Sequence, residues 1–216
     1  MRILVALLAM VFSLFACAED KGAEYIEGQH YKLLEIPVRT SDPGKIEVAE
    51  VFSYHCGHCF SFEPMLHAWE KKLAPDTYLV QTHAMWNAQM EPLIRGYYTS
   101  VALKIKDQTH MPVFNAIHLE RKNFTSAEDW ANFFANYGIS KEKTLSTYNS
   151  FGVTSMIKQA EARARGYKVT GTPEMVVDGK YHISSRLAGG HTEMLKVADF
   201  LVAKVRKERG LQAPTP

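Results

Sequence analysis

The sequence predicts an α/β protein that carries an all-helical insertion. Runs rich in β-branched and aromatic residues predict buried strands at 46–53 and 77–85, and strand signals return at 174–177. Between residues 88 and 166 the apolar side chains instead recur at helical spacing. The 216 residues therefore fit about one domain with an insertion.

The first 18 residues have the pattern of a secretory signal peptide. Met1-Arg2 precedes an uncharged apolar stretch at 3–15, and Ala16-Cys17-Ala18 supplies a cleavage site of small residues. The stretch is shorter than the roughly 20 residues of a membrane-spanning helix, so we expect a soluble, exported chain that begins at residue 19. A second interpretation keeps Cys17 as the lipidated cysteine of a lipoprotein, although Phe15 fits that pattern poorly.

Residues 19–87 are predicted to alternate strand, helix and strand. A short edge strand lies within 31–38, and Ser41-Asp42-Pro43-Gly44 marks a turn before the strand at 46–53. Apolar side chains predict a helix over 60–73, with Pro64 bending it, before the strand at 77–85. The motif Cys56-Gly57-His58-Cys59 therefore lies between the end of a strand and the start of a helix.

Residues 88–166 are predicted to form helices at 93–105, 113–121, 126–137, 141–149 and 154–165. Ser126 with Asp129 predicts a capping box, and Gly138 and Gly166 are predicted C-caps. Residues 167–216 return to a hairpin of strands at 174–177 and 180–183, followed by an amphipathic helix over 192–206. This order of elements is that of a thioredoxin fold with an inserted all-helical domain.

Composition and charge exclude little. The chain is 46% hydrophobic and 22% charged, which is ordinary for a globular protein. A formal net charge of +2 gives no reason to propose nucleic acid or an anionic surface as a partner.

Cleavage after Ala18 would leave two cysteines, Cys56 and Cys59, three positions apart. A bridge that closes so small a ring adds little stability, so in an exported protein the pair predicts chemistry instead. Disulfide exchange needs a thiolate, and the free N–H groups and dipole at a helix start favour an anion at Cys56. His58 adds a nearby donor.

Several segments, taken in order, match a known family. They read EVFSYHCGHC at 50–59, FE at 62–63, YNSF at 148–151, and GTP at 171–173 followed by VDGKY at 177–181. Together they resemble the DsbA family of bacterial periplasmic dithiol oxidases, and the match extends over most of the mature length. An isolated C-x-x-C is a weak signal, whereas this ordered set is specific.

The resemblance implies a role for each residue of the site. The oxidised pair donates its disulfide to a substrate thiol through a mixed disulfide on Cys56, with Cys59 as the buried partner. Pro173 takes the place of the cis proline that packs against the disulfide. Thr172 takes the place of the residue before that proline, which offers backbone hydrogen bonds to a bound peptide.

Two acidic residues were open to more than one interpretation. Glu50 either faces solvent or, as the resemblance implies, is a buried acid that helps move protons from Cys59. Glu63 either contributes to the same electrostatics or, as we expect of a residue on this helix, is exposed. The remaining histidines of interest show no partner pattern in the sequence: His83, His110, His118, His182 and His191.

The resemblance also implies the partners. It points to newly exported cysteine-containing proteins as substrates, a DsbB-like membrane protein as reoxidant, the periplasm as the location, and a monomer without a cofactor or metal. A zinc half-site with His55 and His58 is disfavoured because four adjacent ligands cannot easily surround one ion. Haem attachment would need a histidine where Phe60 stands.

Two departures from the family pattern keep other functions open. Gly57-His58 replaces the usual Pro-His, and this pair is found in disulfide isomerases; Thr172 replaces a common Val. The alternatives are therefore a disulfide isomerase or reductase, and a non-catalytic chaperone that retains the fold.

Overall fold

A computed structural model describes residues 25–212 of the chain. The predicted signal peptide, including Cys17, lies outside the described residues. Within 25–212, none of the helices combines the length and the apolar character that crossing a bilayer requires.

A five-stranded mixed sheet forms the centre of the fold, in the order β1-β5-β4-β2-β3. β2 pairs in parallel with β3 and antiparallel with β4, and β5 pairs antiparallel with both β4 and β1. The strands are β1 (Lys32–Leu33), β2 (Ile46–Phe52), β3 (Thr77–His83), β4 (Glu174–Val177) and β5 (Tyr181–Ser184). All seven residues of β2 are buried: five are apolar, as expected of a central strand, and the other two are Glu47 and Glu50.

Eight α-helices accompany this sheet in the part of the chain that the structure describes. They are α1 (Gly57–Glu70), α2 (Glu91–Ala102), α3 (Lys106–His118), α4 (Ala127–Ala135), α5 (Lys141–Tyr148), α6 (Phe151–Gly166), α7 (Ser185–Ala188) and α8 (His191–Glu208), with a 3₁₀ turn at Ala88–Met90. Every predicted strand and long helix is present, whereas the 3₁₀ turn and α7 were not predicted from the sequence.

The core has a layer on each face of the sheet and a separate cluster among the inserted helices. On one face, α1 and α8 pack Phe62, Leu66 and Leu201 against β2, β4 and β5. The helical cluster contains Trp130 and Phe114, and it also contains Cys59. The inserted helices therefore share a packed core with the cysteine motif.

Local signals were confirmed in two places. Ser126 and Asp129 form the predicted capping box at the start of α4. The hairpin turn between β4 and β5 has positive φ at both Asp178 (56°) and Gly179 (62°). A Cβ on Gly179 would lie 1.9 Å from the Val38 carbonyl oxygen, so no larger residue fits there.

Several predicted boundaries were displaced, among them those of α3 and α6. α3 begins at Lys106 and contains Pro112, whereas the sequence suggested a start just after that proline. Gly166 is the last residue of α6 and not its C-cap, which is Tyr167. The glycine is needed because a Cβ there would lie 2.7 Å from Cγ2 of Val38.

Candidate active site

The cysteine motif lies at the junction between the end of β2, a central strand of the sheet, and the start of α1. β2 ends at Phe52, a turn is closed by the Cys56 N–H donating to the Ser53 carbonyl at 3.0 Å, and Cys56 is the N-cap of α1. The helix begins at Gly57, earlier than predicted, so Cys59 lies inside its first turn. The backbone N–H of Cys59 donates to the Cys56 sulfur at 3.4 Å.

The two thiols have opposite environments. Both are free in this structure, with Cys56 half-buried and Cys59 fully buried. A hydrogen bond from the Cys59 thiol has the largest influence on the Cys56 pKa. Together with hydrogen bonds from the Thr172 side chain and from the backbone N–H groups of Cys59 and His58, it outweighs burial and lowers the Cys56 pKa to about 5. Burial, followed by the hydrogen bond to Cys56 and the charge of Glu50, raises the Cys59 pKa far above its ordinary value.

The loop that precedes β4 touches the reactive sulfur. The Thr172-Pro173 peptide bond is cis, as the resemblance implied. The Cys56 thiol donates to the Thr172 carbonyl oxygen at 3.2 Å. Two segments 116 residues apart in sequence therefore meet at one sulfur.

His58 is exposed, in contrast to the cysteines around it. Its ring packs edge-on against His191, with the ring centroids 5.9 Å apart. Its contribution to the Cys56 pKa comes through its backbone N–H. Among residues 25–212, no group of three or more histidine, cysteine or acidic side chains is arranged to hold a metal ion.

Glu50 is fully buried in β2, which excludes the solvent-facing interpretation. One carboxylate oxygen accepts from the Gln81 amide at 2.9 Å, and the other has no hydrogen-bond partner among the described residues. Burial, and next the charge of Glu63, raise the pKa of Glu50 well above its usual range. A protonated carboxylic acid is therefore favoured beneath the cysteine pair.

The prediction that Glu63 is exposed was wrong, because its exposed fraction is only 7%. Glu63 lies one helical turn after Cys59, on the face of α1 that packs inward. The Gln81 amide donates to it at 3.1 Å, and Nε2 of His110 lies 3.3 Å from its carboxylate. Burial raises the Glu63 pKa, but the hydrogen bond and charge of His110 outweigh it, so the net pKa is lowered.

Three histidines that showed no pattern in the sequence hold Tyr54, two residues before Cys56. Nε2 of His83 accepts from the Tyr54 N–H at 3.1 Å, and Nδ1 of His110 lies 2.8 Å from its hydroxyl. Nε2 of His118 lies 2.8 Å from the Tyr54 carbonyl oxygen. The turn that presents Cys56 is thus fixed from both β3 and α3.

The alternation of side chains along β3 offered a sequence signal for two of the residues that surround the site, Gln81 and His83. Gln81 and His83 occupy the same face of β3, near its carboxyl end, and both are buried. Burial lowers the His83 pKa to about 3, so the ring is neutral and accepts through Nε2. Lys106, which donates to Gln81 at 3.0 Å from α3, could not be paired with it from sequence spacing.

Comparison with known proteins identifies the family. A model of the DSBA-like thioredoxin domain matches residues 76–201. The thiol:disulfide interchange protein DsbA of Pseudomonas aeruginosa is 42% identical over 204 residues, which cover 94% of this chain and 96% of that protein. The chain belongs to the DsbA family. DsbA of Bordetella pertussis is 38% identical over 208 residues, or 95% of this chain and 97% of that protein.

Solved DsbA structures agree with this assignment. The crystal structure of Pseudomonas aeruginosa DsbA gives a TM-score of 0.83 at 40% identity, covering 88% of this chain and 98% of that chain. The oxidoreductase DsbA from Xylella fastidiosa gives 0.80 at 28% identity, covering 85% and 98%. Membership of the DsbA family confirms the predicted fold class and the predicted activity, that of a thiol:disulfide oxidoreductase.

Proposed function

We propose that the Cys56–Cys59 disulfide of this DsbA-family protein is the group that oxidises cysteine pairs in newly exported proteins. A substrate thiolate attacks the Cys56 sulfur, the intramolecular disulfide breaks, and Cys59 leaves and takes up a proton. A second substrate thiolate then attacks the mixed disulfide at the substrate sulfur and releases Cys56 as a thiolate. Overall, the substrate dithiol loses two electrons and two protons. The enzyme takes up both electrons and one proton, which protonates Cys59, while the second proton goes to solvent because Cys56 stays a thiolate.

The unequal environment of the two sulfurs carries this proposal. A Cys56 pKa of about 5 makes the thiolate the stable form of the reduced enzyme at neutral pH. Each pKa unit of thiolate stabilisation corresponds to about 1.4 kcal/mol, or about 30 mV for a two-electron couple. Stabilisation that exists only in the reduced state makes the disulfide oxidising.

Four further residues complete the proposed site. Glu50, buried and biased toward its protonated form, supplies the proton that the leaving Cys59 sulfur needs. Thr172 and Pro173 form the edge along which the substrate chain lies, since the Thr172 carbonyl already contacts the Cys56 sulfur. His58 contributes a backbone N–H to the thiolate.

The domain boundaries and surroundings belong to the same proposal. Residues 19–87 and 167–216 form the thioredoxin-like domain, and residues 88–166 form the inserted helical domain. The mature protein acts in the periplasm as a monomer, without a cofactor, and a DsbB-like membrane protein reoxidises it. The equilibrium between this protein and glutathione distinguishes an oxidase from an isomerase or a reductase. An oxidase has a higher reduction potential than either alternative.

Cysteine substitutions test the function directly. Oxidised mature protein is mixed with a reduced synthetic peptide that contains two cysteines, and peptide oxidation is followed by mass spectrometry. Cys56→Ser should abolish oxidation, whereas Cys59→Ser should retain a sulfur that can be trapped in a mixed disulfide. Continued turnover by Cys56→Ser would refute the assignment, and a double variant with full biological activity would favour the non-catalytic chaperone.

A further inference from the structure

A buried carboxylate lies directly beside the loop that contacts the reactive sulfur. Glu174 is the first residue of β4 and follows Pro173, and the other three residues of the strand are apolar. Its exposed fraction is 5%. Burying a carboxylate in an apolar strand is unfavourable unless it is paired, and the proposed sulfur exchange does not use it.

The partners of Glu174 come from two different parts of the chain. Nε2 of His182, on β5, lies 2.6 Å from one carboxylate oxygen, and His182 is itself buried. The Thr170 N–H donates to the same oxygen at 3.3 Å, and its hydroxyl donates to the other at 3.4 Å. One carboxylate therefore joins the rigid hairpin to the loop at 170–173.

This loop is held at one end by Glu174 and contacts the active site at the other. Thr172, two residues after Thr170, places its carbonyl oxygen 3.2 Å from the Cys56 sulfur. The loop, Glu174 and His182 also line a cleft of about 410 Å³. A substrate chain that reaches Cys56 along this edge would lie against a loop whose position depends on the pair.

We propose that the Glu174–His182 pair is a positioning element that orders the 170–173 loop for the substrate chain. It acts on the binding of extended peptides and leaves the exchange between sulfurs largely unchanged, because neither side chain touches the reacting atoms. The inference rests on the proposed function, since it requires substrate cysteines to reach Cys56. An unordered loop would have to be fixed at the moment of binding, which lowers affinity.

The test compares steady-state oxidation of a two-cysteine peptide, with oxidised glutathione as the terminal oxidant. Glu174→Ala removes the acceptor of Thr170 and the partner of His182, and should raise the peptide KM about three- to tenfold with kcat within about twofold. Glu174→Gln retains an acceptor for Thr170 and should stay within about twofold of the wild-type KM. The rate of disulfide exchange with glutathione alone, a ligand too small to span the loop, should be unchanged.

One control variant and a second test variant separate this role from a general loss of stability. Glu47→Ala removes another fully buried carboxylate of the same sheet, paired with Arg163, and should lower stability without raising the peptide KM. His182→Leu breaks the pair from the other side and should raise KM as Glu174→Ala does, which keeps the test possible if one variant fails to fold.

The outcomes distinguish the two hypotheses. If the wild-type protein does not oxidise the peptide, the proposed function fails. If it does, and Glu174→Ala and His182→Leu keep the wild-type KM, only the positioning role fails. An equal rise in KM for Glu47→Ala would also overturn that role.

Discussion

Two cysteines three residues apart acquire opposite acidities because they occupy different positions of one helix. Cys56 caps the N-terminus of α1, where N–H groups are free to stabilise an anion, whereas Cys59 is fully enclosed. The sequence alone predicted that Cys56 lies close to a helix start that favours its thiolate, although the helix begins at Gly57 and not at the predicted residue 60. It could not predict the burial of Glu63, because the Gln81 and His110 side chains that satisfy it arrive from β3 and α3.

The lowered Cys56 pKa predicts a specific pH dependence of stability in the reduced protein. The folded pKa of about 5 is below the ordinary value of 9.0, so between these pH values the unfolded state binds the extra proton. The stabilisation is complete above about pH 9 and is lost as the pH falls toward 5. Urea unfolding of the reduced protein at pH 5 to 8 should show the free energy of unfolding rising by at most about 1.4 kcal/mol per pH unit relative to the oxidised protein. Reduced Cys56→Ser should lack this slope, and a slope that persists in that variant would contradict the assignment.

Glu50 provides a second prediction at this scale. Glu50→Gln keeps the shape and the hydrogen-bonding capacity of the side chain but removes the transferable proton. We expect reduction of the oxidised enzyme by a peptide dithiol at pH 7 to slow by about tenfold or more, since general acid catalysis contributes about 10²- to 10⁴-fold in other enzymes. Stopped-flow fluorescence measures this rate. Glu47→Gln, in the same strand, is the matched control, and equal slowing in both variants would argue against a role in proton transfer.

Among the secondary-structure elements, β2 was predictable, whereas the start of α3 was not. β2 is buried throughout, and its five apolar residues identify it as a strand without knowledge of its neighbours, although Glu47 and Glu50 interrupt them. The first turns of α3 bury polar Thr109 and His110, whose burial depends on contacts with other elements. Pro112 also resembles a helix start, because proline is common in the first turn, although the helix runs through it.

The packing of α2 against α4 predicts an unusual response to an alanine substitution. A Cβ on Gly96 would lie 1.9 Å from the ring of Trp130, so Gly96→Ala should destabilise the protein by about 1 to 3 kcal/mol despite the higher helix propensity of alanine. Gly152→Ala in α6 is the matched control, because the nearest atom there is 3.7 Å away. This control should be neutral or stabilising by up to about 1 kcal/mol. Urea denaturation of both variants measures the difference, and equal stability of the two would contradict the close contact.

Over the whole molecule, the linear order of strands and helices predicted the architecture, while the contacts between distant segments remained hidden. The sequence indicated that a helical segment separates two parts of one sheet. It did not indicate that this segment shares a core with Cys59 and with Phe52 at the end of β2. Such contacts depend on side-chain packing between elements far apart in sequence, which periodicity within one element does not report.

The export prediction applies to the whole chain. Cleavage after Ala18 should give a mature protein whose first residue is Glu19, recovered in the periplasmic fraction. Intact-mass spectrometry of the purified protein, with N-terminal peptide sequencing, measures this directly. A mature chain that begins at Cys17 and has the added mass of a lipid would establish the lipoprotein interpretation instead.

The enclosure of one sulfur has a practical consequence for chemical targeting. With Cys59 shielded and Cys56 ionised, an electrophilic drug fragment, a thiol-reactive biotin tag or an activated-disulfide resin meets one nucleophile in the reduced motif. Covalent labelling would therefore be stoichiometric and would report the redox state of a population, since the bridged form offers no target at this motif.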